Sequence, residues 1–295
     1  MSTINFMDAM RQMDADQRMV CVGMDTDYEK IPISVKEQIG GEWGSDNHIH
    51  DSMVFFNNKI IDATCDVVKV YKPNLAFYLP YGAIGSSILE SIVAHAKSKG
   101  IRSILDMKVS EIENSAERYA RFVFEVIGAD AVTVNPYMGY TGLTPFLERK
   151  DNGIIVLCRT SNKGSDEFQG MICENGLPLY LNVAKRISDE KTWNKNKNCM
   201  LVTGATFTED LKRIVEQTGG ELDRLIPGIG AQGGDLEATL AAGLNINNGG
   251  IMINSSRGIL YASAGEDFAE AARRETIKLQ SSISGFISLR KQSIH

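Results

Sequence analysis

Eight short apolar runs, each ending in polar or small residues, set the limits on this fold: 19–25, 67–74, 102–108, 131–135, 153–161, 199–206, 224–230 and 249–256. Helix-length segments separate most of them. In 115–127, Ala116, Tyr119, Ala120, Val123, Val126 and Ile127 recur at helical spacing, while Glu117, Arg118, Arg121 and Glu125 fill the other face. Segments 51–65, 83–99, 174–190 and 264–290 also suit helices. This alternation predicts an α/β chain folded as a (β/α)8 TIM barrel. The 295 residues fit one such barrel of roughly 250 residues with loop insertions, a single domain. Spacing alone leaves an open doubly wound sheet in play, although no Gly-x-Gly-x-x-Gly follows the first run. Phe6, Met10 and Met13 predict a short amphipathic N-terminal helix. Segment 33–50, rich in Gly and His, and polar segment 162–175 read as insertions; the second lies where an active-site lid would lie. Residues 191–198 read as an exposed connection.

A net charge of −6 argues against a general nucleic-acid surface, so an anionic ligand must meet positive charge placed locally. The five cysteines, Cys21, Cys65, Cys158, Cys173 and Cys199, contain no Cys-x-x-Cys pair. They suggest neither a disulfide frame nor a thiolate metal site, and fit a reducing cytoplasm. Asp8, Arg11, Asp14 and Asp16 interrupt any signal-peptide core, and no run of 18 apolar residues suggests a membrane span. His48 and His50 with Asp51 are read as surface residues of a polar insertion rather than a metal site.

Two turns near the C-terminus have the chemistry of an anion cradle. In Leu225–Asp235, Gly228, Gly230, Gly233 and Gly234 let backbone N–H groups turn toward a ligand, and Gln232 adds an amide donor. Gly250–Gly258 ends on Arg257, a permanent cation, beside Ser255 and Ser256. In a barrel this is the phosphate site after strands seven and eight. The ends of the earlier runs carry Asp25, Lys72, Asn74, Asp106, Lys108, Asn135, Thr160 and Ser161. Asp106 and Lys108 are two apart and share a face if strand pairing persists. Lys72 adds an ammonium one strand over and Glu111 a carboxylate nearby, an alternating array that suits Lys108 as a proton donor to a basic carbon.

Together these segments resemble the orotidine 5′-monophosphate decarboxylase family, in its longer branch, from about residue 20 to residue 261. The resemblance rests on Val22-Gly-Met-Asp25, Lys72-Pro-Asn-Leu-Ala-Phe77, Asp106-Met-Lys108, Ala129–Gly139, Arg159-Thr-Ser-Asn162, Pro227–Asp235 and Ser256-Arg257. It implies conversion of orotidine 5′-monophosphate to UMP without metal or cofactor, in a homodimer with shared active sites. It further implies that Lys108 protonates C6, that Asp106 holds Lys108, and that Ser161 meets the pyrimidine. By the same resemblance Asp25, Lys72 and Ser115 would serve the ribose and the charge network, Asn74, Asn135 and Gly233 would belong to the substrate-binding groups, and Gln232 and Arg257 would take the phosphate.

The family's motif reads Asp-x-Lys-x-x-Asp-Ile-x-x-Thr, its second Asp coming from the partner subunit. Here Glu111 and Ser115 replace that Asp and the Thr. Two other readings stand beside the decarboxylase: a Mg2+-dependent sugar-phosphate lyase on the same scaffold, and a nucleotide binder that has lost turnover through Glu111.

Overall fold

The computed structural model describes residues 4–229 and 233–292. Eight parallel strands occupy the eight apolar runs: β1 (Val20–Met24), β2 (Val70–Pro73), β3 (Ile104–Val109), β4 (Ala131–Val134), β5 (Gly153–Arg159), β6 (Cys199–Thr203), β7 (Arg224–Ile226) and β8 (Ile251–Ser255). Their order, β2-β1-β8-β7-β6-β5-β4-β3, brings β2 beside β3. Isolated parallel bridges at Tyr71–Ser103 and Asn74–Asp106 close the ring. The strands are nearly continuous in apolar residues because both faces are covered.

Helices follow the strands. α1 (Phe6–Ala15) precedes β1; α2 (Ile33–Ile39) and α3 (Asp46–Thr64) lead to β2, and α4 (Gly82–Ser98) to β3. Then come α5 (Glu113–Arg121), α6 (Gly139–Leu147), α7 (Leu179–Ile187), α8 (Thr208–Gln217), α9 (Leu236–Gly243), α10 (Arg257–Leu260) and α11 (Phe268–Gln292). Among the described residues no helix is long and apolar enough to cross a membrane.

The barrel interior explains where chemistry can sit. Cys21, Val70, Ile104, Ala131, Ile155, Met200 and Met252 form one apolar cluster with Phe6, Met7 and Met10 of α1, so this helix plugs one end of the barrel. A Cβ at Gly153 would collide with the Phe6 ring, which is why glycine opens β5. Two residues further along each strand, on the same inward face, stand Lys72, Asp106, Thr133, Leu157, Val202 and Asn254. This second layer, polar on β2, β3, β4 and β8 and apolar on β5 and β6, rests directly on the first.

Several sequence expectations are corrected. Segment 33–50 is not a polar loop: it holds α2 and the first turn of α3, where the Ser45 hydroxyl accepts from the His48 N–H at 3.3 Å. His48 is buried rather than exposed. Its ring nitrogens meet the Tyr28 hydroxyl at 2.9 Å and the Lys36 carbonyl at 3.0 Å. The helix expected over 174–190 is confined to α7 because Gly176, at φ 77°, makes a turn and Pro178 caps the start. The helix expected over 115–127 begins at Glu113 and is α-helical only to Arg121, continuing as a π-helical turn over Phe122–Val126. Residues 191–198 are not uniformly exposed: Asn194 and Asn198 are buried, and the Asn198 amide donates to the carbonyls of Leu147, Arg149 and Asn152.

Candidate active site

A cavity of about 850 Å3 opens at the carboxyl ends of the strands, the end opposite the α1 plug, and an alternating charge array forms one wall. Lys72 Nζ donates to Asp106 Oδ2 at 2.8 Å and lies 4.0 Å from Asp25 Oδ1. Lys108 Nζ donates to Asp106 Oδ1 at 2.5 Å. Among the described residues, Asp25 Oδ1 is buried without a hydrogen-bond partner. Lys72 and Asp106 are almost wholly buried, whereas the Lys108 side chain is 47% exposed and free to meet a ligand.

The array is self-consistent electrostatically. Burial opposes charge on Lys72, but the Asp106 and Asp25 carboxylates outweigh it and hold the ammonium well above the ordinary lysine range. Burial likewise opposes charge on Asp106, yet Lys72 and Lys108 hold its carboxyl well below the usual carboxylate range. The depressed Asp106 contributes stability present above about pH 4 and lost in stronger acid; the raised Lys72 contributes stability present below about pH 10 and lost in stronger base. The ion pair therefore holds through the neutral range.

Lys108 does not reach Asp106 by simple strand alternation. The register between β3 and β4 shifts between Leu105 and Val109, and Lys108 adopts φ 52°, in the left-handed region. Thr133 on β4 stabilises this bulge: its hydroxyl accepts from the N–H groups of Met107 at 2.9 Å and Lys108 at 3.0 Å, and donates to Asp106 Oδ1 at 2.8 Å. Sequence reasoning missed Thr133, because a threonine within Val132-Thr-Val134 reads as an ordinary strand residue.

Thr160, Ser161 and Asn162 line the far wall. Gly204, just past the end of β6, lets this loop approach closely, since a Cβ there would lie 2.8 Å from the Cα, Cβ and N of Ser161. Gln169, also missed from the sequence, ties segment 162–175 to the loop: its amide oxygen accepts from Thr160 N–H at 2.8 Å and its amide nitrogen donates to Thr160 Oγ1 at 2.8 Å. Buried Arg159 holds the same segment through Ser165 at 3.0 Å and Asp166 at 2.6 Å. Leu157, Val202 and Leu225 supply an apolar floor.

The remaining end is built by Gly228, Ser256 and Arg257. The glycine turn folds back on itself, with Gly234 N–H donating to the Gly228 carbonyl at 3.1 Å and Gly233 at φ 84°. Gln232 lies outside the described residues.

Glu111, Ser115 and Asn135 stand apart from this cavity within the chain, and Gly233 does not line it either. The Glu111 carboxylate turns back onto the Ile112 N–H at 2.9 Å, and Ser115 is exposed on α5. Asn135 accepts from Tyr137 N–H at 3.0 Å and faces a neighbouring cavity of about 900 Å3, with Tyr137 and Trp193. Asn74 lines the main cavity while its side chain accepts from Ala76 N–H at 3.2 Å.

The sequence profile of the orotidine 5′-phosphate decarboxylase / HUMPS family matches residues 18–274. The chain belongs to this family. The orotidine 5′-phosphate decarboxylase of Janthinobacterium sp. (strain Marseille) is 42% identical over 290 residues, covering 98% of this chain and 100% of that one. That of Herpetosiphon aurantiacus is 42% identical over 270 residues, 91% of this chain and 94% of its own. Among solved structures, Leishmania donovani OMP decarboxylase superposes with a TM-score of 0.76 at 31% identity, covering 94% of this chain and 99% of that one. Leishmania donovani UMP synthase gives 0.81 at 33% identity and covers 96% of this chain; the chain spans only 56% of that longer protein.

Proposed function

We propose that this chain decarboxylates orotidine 5′-monophosphate to UMP, as the last step of pyrimidine nucleotide synthesis, with Lys108 as the proton donor and neither metal nor cofactor. The observation that carries this reading is the Asp25–Lys72–Asp106–Lys108 array opening onto a cavity whose other end holds Arg257. A nucleotide with its phosphate at Arg257 and Ser256 and its base against Ser161 presents C6 of the pyrimidine to Lys108. The C6–carboxylate bond breaks, CO2 leaves, and the electron pair stays on C6. The ring cannot delocalise that pair through its π system, so a fixed ammonium stabilises the developing carbanion. Lys108 then transfers a proton to C6 and recovers one from water. Asp106 holds Lys108 in place, and Lys72 keeps Asp106 ionised.

Two lysine ammonium groups and a threonine hydroxyl occupy the Asp106 oxygens, which leaves that carboxylate poorly placed to bind Mg2+. The direct test is loss of orotidine 5′-monophosphate absorbance on adding purified protein, with and without EDTA. Turnover should be the same in both. Inactivity in both, with UMP still bound, would identify a nucleotide binder; activity lost to EDTA and restored by Mg2+ would identify the sugar-phosphate branch.

Arg257→Ala should lower kcat/KM by roughly 10- to 100-fold, since it removes charge-assisted hydrogen bonds to phosphate. Both constants should move, because phosphate contacts also help close segment 162–175. Unchanged kinetics would remove Arg257 from the phosphate site.

The same reading makes the active unit a cytoplasmic homodimer acting on a small nucleotide, without nucleic acid or membrane. Glu111 enters the partner's cavity. Supporting this, Glu111 does not line its own cavity, and it is followed by Ile112, 52% exposed, with Tyr137, 81% exposed, also uncovered. An apolar rim of this kind is suited to burial against a second copy.

A further inference from the structure

The geometry points to Thr133 as a positioning residue that aims Lys108 at the reacting carbon. This inference rests on the decarboxylase reading above, with Lys108 as donor, and asks how that side chain comes to be held. β3 places two more residues than β4 between its paired positions, since Leu105 pairs with Val132 and Val109 with Val134. The N–H groups of Met107 and Lys108 therefore lack the carbonyl partners that a regular parallel ladder supplies. Buried backbone donors need replacements. The Thr133 hydroxyl provides both, and its own proton goes to Asp106 Oδ1.

One donor and two acceptor sites exhaust what a hydroxyl offers, so Thr133 is saturated. Its location fixes two things together. The accepted bonds hold Lys108 in its left-handed conformation, which is strained for a residue with a side chain and persists only when surroundings impose it. The donated bond orients the Asp106 oxygen that receives Lys108 Nζ. Backbone and side chain of the proton donor are thus both referred to one atom on the neighbouring strand. Thr133 is 1% exposed, so its hydroxyl is closed to solvent in the folded chain.

The test compares Thr133→Val, which keeps the shape and removes the hydroxyl, with Thr133→Ser, which keeps the hydroxyl. Thr133→Val should lower kcat by about 100-fold, the cost of a misplacement near 1 Å, while KM and the UMP dissociation constant stay within about threefold. Thr133→Ser should recover kcat to within about fivefold of the parent, because the three hydrogen bonds can re-form. A structural role alone would lower thermal stability without this split between kcat and UMP binding. If Thr133→Val does not fold, Thr133→Ala makes the same comparison with serine. Parent-like kcat in the hydroxyl-free variant, or equal losses of kcat and UMP affinity, would overturn the inference. An inactive parent protein would instead overturn the decarboxylase reading on which it rests.

Discussion

Replacing Lys108 by alanine is expected to lower kcat by at least about 10^4-fold, because it removes both the proton donor and the cation facing the developing carbanion. UMP affinity should change far less. The groups proposed for phosphate and base lie away from the bulge in β3: Ser256 and Arg257 at the start of α10, just after β8, and Ser161 in the loop after β5. The fold should also hold, because Asp106 keeps Lys72 and Thr133 as partners once Lys108 is gone. Single-turnover kinetics and UMP binding by calorimetry separate the two properties. Residual decarboxylation within a factor of about 100 of the parent would mean that another group protonates C6.

Removing the charge of Glu111 is the second large effect expected. Glu111→Gln should cost about 10^2- to 10^3-fold in kcat, as for loss of one preorganised electrostatic contact, and Glu111→Asp much less. If each site takes Glu111 from its partner, a mixed dimer of Lys108→Ala and Glu111→Gln chains has one doubly damaged site and one intact site. Free exchange of equal amounts should then restore about a quarter of parental activity per chain. Exchange can be followed independently with differently tagged subunits. No recovery after demonstrated exchange would sink the shared site, and parental activity in Glu111→Gln would deny this carboxylate a role in turnover.

The strands were legible because a parallel sheet covered on both faces leaves few polar positions inside a run. The polar ends of those runs were legible for the converse reason: Lys72 and Asp106 are charges at the edge of an apolar core, where structure alone gives them no purpose. What escaped was set by partners remote in sequence. Thr133 looks like strand material until the bulge in β3 leaves two N–H groups for it to accept. His48 sits in a polar stretch, yet Tyr28 and Lys36 satisfy both ring nitrogens and permit its burial. Asn198 looks like loop surface until the carbonyls of Leu147, Arg149 and Asn152 converge on it. Lys108 escaped in part, since the expected strand geometry gives way to a left-handed residue while the contact with Asp106 survives by another route.

The plug at the bottom of the barrel bears on how the protein is made. α1 leaves the ribosome before any strand, but Phe6 lies against Gly153 at the head of β5, and Asp14 binds Lys69 and the N–H of Gly250 before β8. At about 5–20 residues per second, more than ten seconds pass between synthesis of the helix and synthesis of its last partner. During that interval its apolar face has no permanent cover. The helix that completes the core is thus made before every strand it touches and can dock fully only after the last of them, so its apolar face is one a chaperone would shield in the interim.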